Sequence, residues 1–234
     1  MIPFIPIFSY LSFNSFDTAD LSSSIILEAS STTLARFMLI LNTDLIFYFI
    51  LMPKNMVIRG RPGSGKSTAI SLAIEYLRKN GIKIAGMVTP EIRKGGIRVG
   101  FEAVDLLTGD RIILASAGYK GPSVGKYGVD IPLFNEFLTK LDSHLNEGDA
   151  IFIDEVGKME LMSNLFQKIV EKALDIDKPA VFTAPFYDLP FVSRMIARKD
   201  VEFIWINRGE SDLVARRITE RVLTWLRGEE RFLM

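Results

Sequence analysis

The chain has 234 residues with 28 basic and 28 acidic side chains, and 48% of it is apolar. That is enough for one sizeable α/β domain, or a domain with an appendage, and the charge balance does not provide the dominant basic stripe of a nucleic-acid binder. There is no cysteine, which excludes disulfides, thiolate metal sites and cysteine nucleophiles and fits the reducing cytoplasm expected as its location.

Residues 1–52 differ in character from the rest. They hold one basic residue, Arg36, against Asp17, Asp20, Glu28 and Asp44, leaving 27 basic and 24 acidic groups in 53–234. No positive n-region or small-residue cleavage site marks a secretory signal. The apolar stretch 37–52 is interrupted by Asn42, Thr43 and Asp44 and falls short of the roughly 20 apolar residues of a membrane helix, so no anchor is expected. The segment reads as an extension, either disordered or the product of a start site placed upstream of Met52 or Met56. The expected domain is 53–234.

From Met56 onward the pattern is regular. MVIRG (56–60) reads as a buried parallel strand. KSTAISLAIEYLRK (66–79) places Ile70, Ala73, Ile74 and Leu77 at helical spacing, with Asn80-Gly81 as a stop. A strand at 82–89 follows, then a hairpin from 96–107 and 111–116 turning at Thr108-Gly109-Asp110. An amphipathic helix at 132–145 has Asp130 as its cap. The apolar strand AIFIDE (150–155) ends in acids. After it come a helix at about 159–175, a strand at 180–184, a helix near 189–199, a strand at 201–206 and a helix near 211–227. Strands alternating with helices predict an α/β fold with a mainly parallel sheet, flanked by helices, and an inserted β-hairpin.

Gly60-Arg61-Pro62-Gly63-Ser64-Gly65-Lys66-Ser67 fits GxxxxGK[ST] at every fixed position, between an apolar strand and a helical pattern. Dense phosphate charge has to be met without bulky side chains, and the glycines let successive N–H groups turn inward as an anion nest at a helix N-terminus. Lys66 is placed to bridge β- and γ-oxygens, Ser67 to ligate Mg²⁺, and Thr68 to bond the α-phosphate. The alternative, a chance Gly/Ser-rich turn, does not account for the flanking strand and helix.

A P-loop enzyme also needs an acid at the end of a buried strand. Asp154 is the expected magnesium-side carboxylate, and Glu155 the group that polarises water for in-line attack on the γ-phosphate. Acids at strand ends also occur as solvated turns; the upstream phosphate loop separates the two readings.

Gly60–Thr68, the run 124–130 (VGKYGVD) and the run 153–160 (IDEVGKME) together resemble the thermophile-type nucleoside-triphosphatase family, over about 57–226. Asn207-Arg208 also resembles the family's pattern. The resemblance implies a RecA-like P-loop fold and Mg²⁺-dependent hydrolysis of several nucleoside triphosphates, with 60–67 holding the phosphates and Asp154-Glu155 forming the metal and water site.

Other residues are open to two readings. Thr183 is either a γ-phosphate sensor or a plain β-branched strand residue. Lys126, in the Gly-rich segment 118–128, and Lys158 are either cations for the transition state or solvated lysines. Asn207 and Arg208 are candidates for base contact. Arg216, Arg217 and Arg221 read as a charged helix face rather than an arginine finger. His144 reads as structural or exposed, and the Phe and Met residues at 186–195 as core. The expected function is nucleoside-triphosphate hydrolysis, with no nucleic-acid or membrane partner. The alternatives are a nucleotide or nucleoside kinase, which would need an acceptor pocket and an arginine-rich lid, and an ATP-driven switch on nucleic acid or a partner protein.

Overall fold

A computed structural model describes residues 53–232 of the chain. The expectations for 1–52 lie outside the described residues. Ten strands form one sheet. Five of them, β1 (Asn55–Gly60), β2 (Ile84–Val88), β8 (Ala150–Asp154), β9 (Ala180–Pro185) and β10 (Val201–Trp205), are parallel in the order β10-β1-β9-β8-β2. The strand that carries the acids is therefore separated from the strand that opens the phosphate loop by β9. β1, β2, β8 and β9 are buried on both faces, which is why they read as apolar runs rather than alternating ones, whereas β10, at the edge, exposes Phe203 and Trp205.

Two clusters fill the faces. On one, Met56, Ile58, Phe152 and Val181 pack against α1 (Lys66–Lys79) and α5 (Ser211–Phe232). On the other, Val57, Ile151, Ile153 and Phe182 pack against α2 (Ile131–His144), α3 (Asn164–Asp175) and α4 (Pro190–Ile196). Alternate residues of one strand thus feed opposite layers, as the two-residue period requires.

The inserted antiparallel part is larger than the predicted hairpin. β3 (Glu91–Lys94), β4 (Ile97–Asp105), β5 (Arg111–Ala117), β6 (Ser123–Val124) and β7 (Tyr127–Val129) continue the sheet from β2 through β4. β3 escapes sequence reading because its side chains (EIRK) are exposed or half-buried and carry no apolar alternation. Its turn into β4 uses Gly95 and Gly96, both at positive φ (56° and 79°), the two-residue geometry that matches strand twist.

Asp130 caps α2 as expected, accepting the Leu133 N–H at 3.1 Å. The helix expected from 159 begins only at Asn164. Ser163 takes the Phe166 N–H at 3.1 Å and donates to Asn135 Oδ1 at 2.6 Å, fixing the start there, and Glu160–Met162 form a 3₁₀ turn before it. His144 is structural, with Nε2 at 2.6 Å from Asp105 Oδ2. No helix among the described residues is long and apolar enough to cross a membrane.

Candidate functional site

The turn after β1 is held by local geometry. Gly65 caps α1 at φ 98°, and a Cβ there would sit 2.1 Å from Ser211 Oγ, so glycine is required both by backbone and by space. Ser211 Oγ donates back to the Gly65 carbonyl at 3.2 Å, pinning the loop to α5. Lys66 projects from the first turn of α1 and its Nζ donates to the Gly60 carbonyl at 3.1 Å.

Asp154 ends β8, 5% exposed. Thr183, on the adjoining β9, donates its hydroxyl to Asp154 Oδ1. Thr89, just past β2, donates both its N–H (2.6 Å) and its hydroxyl (2.8 Å) to the Asp154 carbonyl. Burial pushes the Asp154 carboxyl above its ordinary value, while hydrogen bonding from Thr183 and Ser67 and the charge of Lys66 pull it down. Burial likewise raises Glu155, with Lys66 lowering it and Asp154 raising it further. Lys66 bears on both acids and Ser67 on Asp154, and all four residues line one locus.

That locus opens into a cleft of about 340 Å³. Gly60, Pro62, Gly63, Lys66 and Ser67 line one side of it, and Asp154 and Glu155 its floor. A second hollow, about 410 Å³, shares Pro62 and Gly63 with the first and is bounded by Arg61, Ser64, Trp205, Asn207 and Arg208. Gly65 and Thr68 face a third, shared with Ser67 and Asp154. Every residue expected from the sequence to hold nucleotide or metal thus borders one of three hollows that share lining residues around the loop. Ser64 Oγ is buried and has no hydrogen-bond partner among the described residues.

The cleft also includes residues the sequence did not single out. Glu91, Arg98, Phe101 and Val124 reach it from the antiparallel strands, Thr89 from just past the end of β2, and Phe186 and Tyr187 from the end of β9. Arg59 holds the last segment in place, donating to the carbonyls of Pro185 (2.9 Å) and Phe186 (2.8 Å). Glu160 is 6% exposed and its carboxyl is pushed up to about 8, first by burial and then by the charges of Glu155 and Asp154. Only its place in the run 153–160 hinted at this carboxyl. Trp205, 43% exposed at the end of β10, had no local signal beyond being aromatic.

Some expectations change. Phe186 is not core: it is 44% exposed on the cleft, whereas Phe191 and Met195 are buried as expected. Lys158 does line the cleft, its Nζ 4.6 Å from the Tyr187 ring centroid. Lys126 is not among the lining residues and sits 5.4 Å from the Tyr127 ring centroid. Arg216 pairs with Asp212 at 2.8 Å, and Arg217 and Arg221 both pair with Glu202, so these three brace the surface of α5. Asn207 donates its N–H to Glu210 Oε2 at 2.7 Å, which gives it a turn-forming role beside the second hollow.

Comparison with known proteins shows the family and the fold. The nucleoside-triphosphatase THEP1 of Methanopyrus kandleri is 40% identical over 182 residues, covering 77% of this chain and 100% of that protein. The THEP1 of Korarchaeum cryptofilum is 40% identical over 173 residues, covering 73% and 88%. Among solved structures, THEP1 from Aquifex aeolicus superposes with a TM-score of 0.63 at 27% identity, covering 72% of this chain and 98% of that one. A human cancer-related nucleoside triphosphatase also gives 0.63, at 31% identity, covering 73% and 97%. The sequence pattern of the family described as NTPase matches residues 55–219, and the chain belongs to that family.

Proposed function

We propose that this nucleoside-triphosphatase hydrolyses its substrate with Mg²⁺ at the junction of the phosphate loop and the Asp154–Glu155 pair. The observation that carries the reading is the convergence of Lys66 and Ser67 on buried Asp154 and half-buried Glu155. A nearly enclosed carboxylate is costly to ionise without a nearby cation, so the donor set suits a hard metal ion. Ser67 and Asp154 would hold it, with phosphate oxygens and water completing its shell. Bound there, Mg²⁺ supplies charge neutralisation on the phosphate oxygens.

The protein's own groups divide the remaining work. Backbone N–H groups of 60–67 hold the β- and γ-phosphates, and Lys66 offsets their charge. Glu155 accepts a proton from water as the water oxygen bonds to the γ-phosphorus. The bond from that phosphorus to the β-side oxygen breaks, releasing nucleoside diphosphate and phosphate. Thr89 and Thr183 fix the backbone and carboxylate of Asp154. The nucleoside extends into the second hollow, over Trp205 and beside Asn207 and Arg208. A flat ring and a guanidinium stack on any base, which accords with broad base tolerance. A cytoplasmic location, in keeping with a chain free of cysteine, is part of the proposal.

The test is steady-state phosphate release from several triphosphates, with and without Mg²⁺, and with nucleosides or nucleoside monophosphates as acceptors. Metal-dependent release that needs no acceptor is the expected result. A phosphorylated acceptor as the main product would overturn it in favour of a kinase.

A further inference from the structure

The antiparallel strands bring one arginine into the phosphate cleft. Arg98, on β4, has its guanidinium carbon 5.1 Å from the Phe101 ring centroid and 5.4 Å from that of Tyr127. Its Nε donates to the Tyr127 hydroxyl at 3.1 Å and its Nη1 to Glu91 Oε1 at 2.7 Å. Among the hydrogen bonds of the described residues, Nη2 has no acceptor. The group is thus clamped on two rings and along two edges, with one edge left over, and it borders the same cleft as Lys66, Asp154 and Glu155.

The pairing with Glu91 does not fully offset the charge of Arg98. Glu91 is shared with Arg93, whose Nε and Nη2 approach Oε2 at 2.9 and 2.6 Å. Two guanidinium groups on one carboxylate leave the trio with a net positive charge. Burial raises the Glu91 carboxyl, but the two arginines outweigh it and keep it below its ordinary value, so Glu91 stays ionised and orienting. The other unassigned cation of the cleft, Lys158, is a flexible point charge, whereas a stacked guanidinium presents fixed parallel donors to phosphoryl oxygens.

We propose that Arg98 donates Nη2 to the γ-phosphoryl group from the antiparallel side of the cleft, stabilising charge that develops there during hydrolysis. It is an arginine supplied by the chain's own sheet extension rather than by another subunit. This role rests on the hydrolytic reading above. No proton moves to or from Arg98; it contributes hydrogen bonds and charge while Glu155 takes the proton.

The test compares R98A and R98K with the parent in the full chain, measuring kcat, KM and the affinity for a nucleoside diphosphate. Removing a preorganised donor to developing charge costs about 10²–10³ in kcat. R98A is expected to show that loss with diphosphate affinity within about threefold of the parent, and added guanidinium is expected to restore part of the turnover in R98A alone. R98K keeps stem and charge but not the fork, and is expected to stay below about a tenth of the parent rate. A folded R98A with near-parent kcat, an equal loss of diphosphate affinity, or R98K at the parent rate overturns the role. If R98A does not fold, R98K decides. Parent protein that releases no phosphate, or K66A at the parent rate, instead sinks the hydrolytic reading and the Arg98 role with it.

Discussion

The Thr183 hydroxyl donates to Asp154 Oδ1 across the β8–β9 pair, so the acid at the end of one parallel strand is held by its neighbour. This settles the orientation of a carboxylate that would otherwise be free to turn at a strand end. It also places a polar residue, 0% exposed, between the acid strand and the strand that opens the phosphate loop.

Thr183→Val preserves the β-branched shape and removes the donor. Leaving a buried acceptor short of its partner costs about 1–3 kcal/mol. Lower thermal stability and roughly tenfold lower kcat at saturating nucleotide are expected, with Thr183→Ser close to the parent. A Val variant equal to the parent in both would leave Thr183 as a strand residue and nothing more.

Glu155→Gln should separate binding from chemistry. The amide cannot accept the proton from water, and loss of a general base costs about 10²–10⁴ in rate. Nucleotide affinity, measured by equilibrium titration, should stay within a few-fold. Lys66→Ala should lower affinity and turnover together, since its charge meets phosphates in both ground and transition states.

The Glu160 carboxyl carries a pH signature. It ordinarily titrates near 4.5 and is raised to about 8 in the folded protein. Below 4.5 both folded and unfolded chains hold the proton and nothing is lost. Between 4.5 and 8 the unfolded chain gives it up more readily, so stability falls as pH rises through that window and then levels off. Glu160→Gln is neutral throughout. Its melting temperature relative to the parent should therefore rise with pH across the window and match it at the acidic end. A difference independent of pH would contradict the shift.

Trp205→Ala tests where the nucleoside lies. Base stacking on an aromatic side chain contributes about 1–3 kcal/mol, so KM should rise by about fivefold or more for every triphosphate, with kcat little changed. Unaltered KM would place the base elsewhere.

Local patterns were sufficient to pick out the loop and the acids that border the cleft. Gly60–Ser67 and Ile153–Glu155 are short runs whose residue types answer to backbone geometry and charge within a few positions, so they are readable without knowing the fold. Apolar runs at 56–60, 150–154 and 180–184 likewise announced strands buried on both faces. The start of α3 was misplaced because a single Ser163 side chain, bonded both to its own helix and to Asn135 of α2, overrides the helical pattern upstream. β3 was missed because an exposed edge strand is under no pressure to alternate.

The rest of the cleft was decided by strand pairing. Val88 lies between Asp154 on one side and Val104 on the other, and this register brings β4, and with it Arg98 and Phe101, beside the acids. Phe186 and Tyr187 arrive from the end of β9, and Trp205 from the end of β10. The sequence by itself determined the phosphate-loop pattern, the acids at the end of a buried strand and the nucleoside-triphosphatase family, because those residues sit in contiguous motifs. Which other side chains face that reaction depends on contacts between residues distant along the chain, and only hydrogen-bonded register in the folded sheet sets those.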